Sequence, residues 1–411
     1  METTKTSRMV AWTLDTDDAI QTSAKAIMRT FLKYISNKFD TLPVDENQIR
    51  DLLAHMKPRI PQEANIDLEA PITMEEMEIA VRQGKNVKAP GNDGINHEFL
   101  KNKWKTIRHD FLQILKDMYV DEAILNPQKH GIILCVPKKR NPERPEDYRA
   151  LTLLNADFKL LSRIIANRLK RWTKEIIHPS QHCGTLDTNI FGALETIAQV
   201  EMTNSPTCFL SLDFTQAFDK IAHTYLFAVL EHCGFSQTFL TRQKKIYTNA
   251  TSSVQVNGHI SLPIAIRSGI RQGCPLSMLL FITCVNPFLC MLDTMIHENK
   301  PTAERGKPNV VTYADDVTII LHSPTDIPNV REALHCYETA TGARLNIRKS
   351  KMMGLGTWDE SIDVLGIPYC NKLRILGIQM TTTTNQSAKK ELGDNCWDDT
   401  RSSTGGILQD I

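Results

Sequence analysis

The sequence lacks the cysteine spacing of a zinc site or a redox centre. Its ten cysteines stand singly, and no CxxC pair occurs among them. Zinc ribbons and thioredoxin-like centres need paired cysteines, so both classes of site are disfavoured. Several of the cysteines lie in apolar runs, where we expect them to act as small buried side chains.

Long apolar runs are also scarce. None reaches the roughly 18 to 20 residues that span a bilayer. The longest candidate, Leu276 to Leu292, contains Asn286 and Pro287 and is predicted to be a buried helix. The N-terminal residues lack the apolar stretch of a signal peptide. We therefore expect an intracellular protein without a membrane span, in the nucleus, the cytoplasm or both.

An excess of charge of either sign is missing as well. The net charge is +1, from 48 Lys and Arg residues against 47 Asp and Glu residues. A neutral total still allows a local basic surface, which is what a phosphate backbone meets. Basic residues crowd the segment from Lys138 to Lys174. That segment is the best electrostatic candidate for contact with nucleic acid or nucleotide.

A chain of 411 residues is expected to form two or three domains. Periodicity and end signals predict helices at Ala24–Phe39, Ile49–Met56, Met74–Gln83 (after a capping box at Thr73), His97–Tyr119, Asp157–Ile177, Asn189–Val200, Tyr225–His232, Phe239–Tyr247, from about Leu276, and Val330–Tyr337. Strands are predicted at Gly131–Pro137, Thr207–Phe214, Ser253–Val256, Pro263–Ile266, Lys351–Leu355 and Leu373–Met380.

Two adjacent acids, Asp315 and Asp316, interrupt the apolar run from Val310 to Leu321. Carboxylates are costly within a buried strand. A tight hairpin resolves this conflict, because it places the acids at an exposed tip while the apolar residues pack below. The ordinary alternative is a surface hairpin in which Asp serves only as a turn residue.

A third acid, Asp213, stands at the end of the apolar strand in LSLDFTQAFDKI. A strand-end acid that faces acids at a hairpin tip suits two Mg²⁺ ions about 4 Å apart, which need carboxylates from separate elements. Mg²⁺ also prefers a few carboxylates plus substrate phosphates to a full protein cage. For Asp213 alone, the alternative is a strand-end cap.

Together with their surroundings, these two segments resemble the reverse transcriptases of non-LTR (LINE-type) retrotransposons. The resemblance covers roughly Phe31 to Met380, and its motifs occur in the family's order. They are KAPGNDGINHEFLK, before the fingers; the fingers segment Val136–Lys170; LDFTQAFD, similar to motif A; SGIRQGCPLSMLLF, motif B; YADD, motif C; TGARLNIRKSK, motif D; and LRILGIQM, the primer grip or motif E.

The resemblance implies an α+β fold, a right-hand polymerase palm and fingers with an antiparallel palm sheet and flanking helices. It predicts an N-terminal helical extension over residues 1–70, fingers over 71–205, a palm over 206–380 and a polar tail over 381–411. We expect that tail to be the start of a truncated thumb. No endonuclease is recognisable, so the chain resembles a fragment, and a partner that supplies thumb or nuclease is left open.

The resemblance also implies roles for the acids. Asp213 and Asp315 would bridge two Mg²⁺ ions, with Mn²⁺ as an alternative, while Asp316 assists and the backbone carbonyl of Phe214 is a further ligand. The reaction is the attack of a primer 3′-hydroxyl on the α-phosphate of a dNTP. Lys349 resembles the lysine that protonates pyrophosphate, and its alternative is a solvated surface lysine.

Two motifs would select the nucleotide and contact the template and nascent base pair. Phe218 matches the aromatic gate that excludes a ribose 2′-hydroxyl, with a core aromatic as the alternative. Asp219 matches a family position without a clear role, for which a helix N-cap is plausible. Gln272 and Gly273 belong to the motif B loop, where glycine permits close backbone approach.

Arg149 resembles the arginine that contacts the incoming triphosphate, because a guanidinium pairs two phosphate oxygens at once. Lys138 or Lys139 would assist it. The sequence departs from the family's YRPISLLN at Ala150 and Leu151. The tract that begins at Lys138 has a second interpretation as a nuclear localisation signal.

The function implied is an RNA-directed DNA polymerase that uses an RNA template, a DNA primer and dNTPs. The alternative is a catalytically impaired retrotransposon remnant that only binds nucleic acid. An RNA-templated RNA polymerase is disfavoured by Phe218 and by the LINE-like motifs.

Overall fold

The computed structural model describes residues 9–57, 60–120, 124–185, 206–298 and 309–381. The predicted helix at 189–200 and the tail beyond Thr381 lie outside the described residues. Internal contacts divide the chain into two compact units. Unit 1 comprises Met1–Thr41, Ala70–Ile165 and Thr241–Ser277, and unit 2 comprises Leu42–Glu69, Ala166–Leu240 and Met278–Ile411. The domain boundaries expected at residues 70, 205 and 380 stay a prediction.

The described part of the chain is a mixture of helices and strands. The helices are α1 (Ala24–Lys38), α2 (Glu46–Ala54), α3 (Gln62–Glu69), α4 (Met74–Gln83), α5 (His97–Val120), α6 (Asn126–Lys129), α7 (Ala156–Lys170), α8 (Thr173–Ile176), α9 (His223–His232), α10 (Gln237–Tyr247), α11 (Ser277–Glu298) and α12 (Ile327–Thr341). The strands are β1 (Thr13–Leu14), β2 (Ile20–Gln21), β3 (Gly131–Pro137), β4 (Tyr148–Leu153), β5 (Thr207–Leu212), β6 (Thr251–Val256), β7 (His259–Ile260), β8 (Ile264–Ala265), β9 (Val310–Tyr313), β10 (Asp316–Leu321), β11 (Lys351–Leu355), β12 (Lys372–Ile375) and β13 (Ile378–Thr381).

Unit 1 is built around a mixed sheet with the strand order β4-β3-β6-β7, and β8 pairs with β6. β3 and β6 are parallel, whereas β3 and β4 form an antiparallel hairpin. One face of the sheet is covered by α1, whose Phe31 ring meets the Tyr148 ring edge-on with centroids 5.0 Å apart. The first helix of the chain therefore completes the core of this unit.

Unit 2 contains an antiparallel sheet with the strand order β11-β5-β10-β9. β5 is a central strand, and four of its six residues in the apolar run TCFLSL are fully buried hydrophobic side chains. Phe209 of β5 packs with Ile320 of β10 and Met353 of β11 in one buried cluster. The near-continuous burial of β5 and β10 agrees with their place in the middle of the sheet, since a strand covered on both faces is apolar along most of its length.

The single strand predicted from Leu373 to Met380 is wrong, because the segment forms the hairpin β12–β13. Its turn is Leu376-Gly377, with φ angles of 50° and 89°. Glycine adopts such angles without a Cβ penalty. Leu373 and Met380 still pack on the same buried cluster, so the apolar pattern was real and the turn within it was missed.

The predicted helix from Asp157 to Ile177 is interrupted after Lys170. Arg171 and Trp172 both contact Asp67 of α3. The Arg171 guanidinium forms an ion pair with the Asp67 carboxylate at 2.6 Å, and the Trp172 indole N–H donates to the same carboxylate at 3.0 Å. The break therefore follows from a tertiary contact within unit 2, which helical periodicity does not report.

The apolar helix α11 is buried, as predicted. Among the described residues, it is long and apolar enough over Ser277–Ile296 to cross a bilayer, but 83% of that stretch is buried inside the protein.

The capping box predicted at Thr73 is confirmed. The Thr73 hydroxyl accepts from the Glu76 N–H at 3.2 Å, and the Glu76 carboxylate accepts from the Thr73 N–H at 3.0 Å.

Candidate active site

Two neighbouring strands of unit 2 bring the predicted acids together. β5 ends at Leu212, which pairs with Val317 of β10, so Asp213 and Asp316 occupy the next opposed positions. Asp316 also pairs with Tyr313 of β9 across a two-residue turn formed by Ala314 and Asp315. The predicted hairpin is confirmed, with Asp315 in its turn and Asp316 as the first residue of the returning strand.

The electrostatics of this pair are unfavourable in the protein alone. The pKa of Asp316 is raised above its ordinary value of 3.8, first by protein atoms that displace water around the carboxylate and then by the negative charge of Asp213. The Asp316 side chain nevertheless stays exposed on one side. Two carboxylates of like charge, one of them solvent-exposed, form a site that would stabilise a divalent cation.

The backbone groups of Asp213 bond the segment from Asn346 to Ser350. Its N–H donates to the Ser350 hydroxyl at 3.0 Å, and its carbonyl accepts from the Asn346 N–H at 2.7 Å. These two bonds tie the segment from Asn346 to Ser350 to the end of β5. Lys349 lies within that segment with an exposed side chain, so the structure brings it to the neighbourhood of Asp213.

The residues after Asp213 enter the aromatic core of unit 2. The Phe214 ring meets the Tyr337 ring edge-on, with centroids 5.4 Å apart. The half-buried Phe218 ring stacks on Phe281 of α11, with centroids 4.0 Å apart and planes inclined by 18°. Phe218 is thereby fixed in place while part of its surface remains accessible.

Asp219 is not the N-cap of a helix. It lies buried inside a short 3₁₀ turn, Ala217–Lys220, and the N-cap of the following helix α9 is Ala222. The turn begins at Gln216, whose φ of 56° places the backbone in the left-handed region. This local conformation separates Asp219 from the helix that the sequence suggested it would cap.

The predicted triphosphate contacts lie on the β3–β4 hairpin of unit 1. Arg149 is exposed on β4, opposite Val136 of β3, whereas Ala150 is buried. Lys138 donates its ammonium to the Glu146 carbonyl at 2.8 Å, and Lys139 forms an ion pair with Asp147 at 3.0 Å. The two lysines therefore stabilise the hairpin itself, and Arg149 is the more available cation.

The motif B loop of unit 1 packs on the same hairpin. The Thr152 N–H donates to the Gln272 carbonyl at 2.8 Å. Gly273 has a φ of 111°, and a Cβ there would lie 2.3 Å from the Thr152 carbonyl oxygen. Only glycine fits this close backbone approach.

Sequence reasoning missed Gln181, which is buried and hydrogen-bonded to the turn before Asp315. Its partner in the turn is Ala314, which lies 133 positions further along the chain. The only local signal is a lone glutamine in HPSQHCG, a segment with no periodicity. Pairing at this separation is decided by the folded chain.

The acids form a partial donor set for the expected metal ions. Among the described residues, no three His, Cys, Asp or Glu side chains group tightly enough to hold a metal unaided. Mg²⁺ commonly takes one or two carboxylates and completes its coordination with substrate phosphates and water. The mutual repulsion of Asp213 and Asp316 fits such a partial protein site.

Residues 136–369, more than half of the chain, match the family model described as reverse transcriptase (RNA-dependent DNA polymerase). The chain belongs to the reverse transcriptase family. The match covers the last two residues of β3, all of β4, the motif B loop and the three acids, whereas the segments 88–101 and 373–380 fall outside it.

Similar proteins come from non-LTR retrotransposons. The chain is 29% identical over 79% of its length to a Xenopus laevis protein, transposon TX1 uncharacterized 149 kDa protein, of which it covers 25%. It is 26% identical over 68% of its length to a Pol polyprotein from the R2 element of Popillia japonica, of which it covers 39%. It is 29% identical over 65% of its length to an RNA-directed DNA polymerase from the mobile element jockey of Drosophila funebris, covering 29% of it. The chain thus spans a quarter to two fifths of the length of these relatives.

Proposed function

We propose that the protein is an RNA-directed DNA polymerase of retrotransposon origin, which adds dNTPs to the 3′ end of a DNA primer on an RNA template. The observation that carries this proposal is the opposition of Asp213 and Asp316 across two paired strands, with Asp315 in the adjoining turn. In this proposal the unit 2 sheet is the palm and the unit 1 sheet belongs to the fingers.

The acids would hold two Mg²⁺ ions, or Mn²⁺ in their place. Asp213 and Asp315 are the proposed bridging ligands, Asp316 assists, and the Phe214 carbonyl contributes one oxygen. When bound, the ions lower the pKa of the primer hydroxyl and offset the charge on the leaving pyrophosphate. The raised pKa of Asp316 supports a cation beside Asp213 and Asp316, because a cation offsets the repulsion between the two carboxylates.

Other residues would bind and orient the nucleotide. The exposed Arg149 is suited to pair two oxygens of the triphosphate. Phe218, braced by Phe281, would exclude a ribose 2′-hydroxyl. Lys349, whose segment is bonded to Asp213, would donate a proton to pyrophosphate, and the Gln272-Gly273 loop would face the nascent base pair.

Primer extension tests the proposal. The 411-residue chain is assayed on poly(rA) with an oligo(dT) primer, dTTP and Mg²⁺, beside Asp315→Ala and Asp359→Ala. Asp359 is an exposed acid of unit 2 whose carboxylate accepts from Ser361, so its replacement controls for the loss of one negative charge.

Synthesis by the wild type and by Asp359→Ala, with none by Asp315→Ala, is the expected result. Equal background from all three chains would refute the polymerase and favour a remnant that only binds nucleic acid. Gel-shift binding of the same template and primer distinguishes that remnant from an unfolded preparation.

A further inference from the structure

We infer that Gln181 is a positioning residue for the acidic turn, and that its carboxamide sets the backbone from which Asp315 projects. This inference rests on the proposed polymerase function, in which Asp315 is a metal ligand. The β9–β10 turn and the segment that carries Gln181 both lie in unit 2.

The Gln181 carboxamide bonds both backbone polar groups of Ala314. The Ala314 N–H donates to Gln181 Oε1 at 2.8 Å, and Gln181 Nε2 donates to the Ala314 carbonyl at 3.2 Å. Both residues are only 1% exposed, so water does not compete for these bonds. The Cys183 N–H also donates to Gln181 Oε1, at 3.0 Å, which restricts the rotation of the amide.

Ala314 needs such support because its φ is 56°. The left-handed region is unfavourable for a residue with a Cβ. A non-glycine residue keeps this conformation only when its surroundings enforce it. Asp315 is the next residue, so relaxation of Ala314 would redirect the Asp315 carboxylate relative to Asp213, which follows β5.

The segment that carries Gln181 is aligned with the hairpin. The Thr312 N–H donates to the Ser180 carbonyl at 2.9 Å, and the His182 N–H donates to the Thr312 carbonyl at 2.9 Å. Gln181 therefore runs beside Thr312 as a one-residue parallel extension of the sheet. This register places its side chain at Ala314.

The same segment is anchored to the long core helix. Asn286 of α11 accepts from the His178 N–H at 2.6 Å and donates to the Ile176 carbonyl at 2.8 Å. Asn286 is 1% exposed and does not bond the turn. It offers a matched control, because its replacement loosens the same segment without removing a bond to Ala314.

Glutamine suits this role because its side chain carries an acceptor and a donor on one rigid plane. Methionine has a similar length and flexibility but can supply neither strong bond. The substitution Gln181→Met thus removes the contact while it keeps most of the buried volume.

The test compares wild type, Gln181→Met and Asn286→Leu in steady-state primer extension, well below each variant's melting temperature. For Gln181→Met we expect kcat to fall about 10- to 100-fold, since small misplacements of reacting groups cost that much. We expect its KM for dTTP to stay within about threefold of wild type, because binding contacts are untouched. Asn286→Leu should lower the melting temperature and keep kcat near the wild-type value.

A second readout does not need activity. Mn²⁺ binding, followed by loss of the free-ion electron paramagnetic resonance signal, should weaken about tenfold in Gln181→Met, as expected for an outer-shell partner of a metal ligand. Asn286→Leu should bind Mn²⁺ like the wild type.

The outcomes separate the two proposals. If Gln181→Met keeps the wild-type kcat and Mn²⁺ affinity, the positioning role is overturned. The same holds if both variants lose activity only in proportion to the fall in their melting temperatures. In either case the proposed polymerase function stands. If the wild type binds Mn²⁺ but extends no primer, the polymerase fails and Mn²⁺ affinity alone decides the role of Gln181. A wild type with neither property refutes both.

Discussion

Asp213 and Asp316 face each other one residue beyond the Leu212–Val317 pair, and the charge of Asp213 contributes to the raised pKa of Asp316. Adjacent strands bring the two carboxylates together although more than a hundred residues separate them in sequence. The repulsion lowers the stability of the metal-free protein, and a bound cation would relieve it. This coupling of charge, strand register and ion binding can be measured directly.

Asp316→Asn should stabilise the metal-free protein at neutral pH. A carboxyl group whose folded-state pKa is raised destabilises the folded state when it ionises, so the advantage of Asn is present at pH 7 and vanishes below about pH 3.8. Because the side chain is partly solvated, the gain is small, about 1–2 °C in melting temperature. The measurement is thermal unfolding in EDTA at both pH values.

The same variant should respond less to Mg²⁺. Added Mg²⁺ raises the melting temperature of the wild type by binding the folded state, and Asp316→Asn removes part of that gain. An Asp316→Asn protein that is less stable than wild type in EDTA at pH 7 would contradict the repulsion described above.

Gly273→Ala should destabilise the protein more than Gly258→Ala. Both glycines have a positive φ, 111° and 80°, but only at Gly273 would a Cβ meet backbone, 2.3 Å from the Thr152 oxygen, since Gly258 has nothing within 4 Å. We expect losses of about 3 kcal/mol and about 1 kcal/mol respectively, from urea unfolding. Equal losses would mean that the motif B loop moves away from Thr152 with no further loss of stability.

Phe218→Val should relax the discrimination against ribonucleotides. The ratio of kcat/KM for dTTP to that for UTP is expected to fall about tenfold or more, because a steric clash with the 2′-hydroxyl is removed. Phe281→Leu, which removes the stacking partner but keeps the Phe218 ring, should lower this ratio less than Phe218→Val does. A stability loss with an unchanged ratio would identify Phe218 as a core aromatic only.

Arg149→Ala should raise the KM for dTTP about tenfold through the loss of a charge-assisted contact. Its melting temperature should stay at the wild-type value, because Arg149 is exposed. Arg29→Ala, which removes another exposed arginine of unit 1, should leave KM unchanged. If both variants raise KM equally, general charge rather than a specific contact is responsible.

Several local features could be predicted because short-range chemistry decides them. The capping box at Thr73, the strand Gly131–Pro137 and the hairpin that bears Asp315 each follow from a pattern spanning a few residues. The hairpin prediction succeeded because a buried strand does not tolerate two adjacent carboxylates in its middle.

Features that depend on distant partners escaped the same reasoning. The helix break after Lys170 needs Asp67, and the parallel pairing of β3 with β6 needs residues more than a hundred positions away. The left-handed Ala314 and its bonds to Gln181 leave no trace in the pattern of YADD.

The sequence by itself determined that the acids lie at a strand end and at a hairpin turn and, through ordered motifs, which family to expect. The folded chain alone decided that Asp213 opposes Asp316 and that Gln181 supports the turn beside them. The physical reason is that hydrophobic alternation and turn preferences act between neighbours in sequence. Charge repulsion and side-chain hydrogen bonds act between neighbours in space, whose identity emerges only when the strands pair.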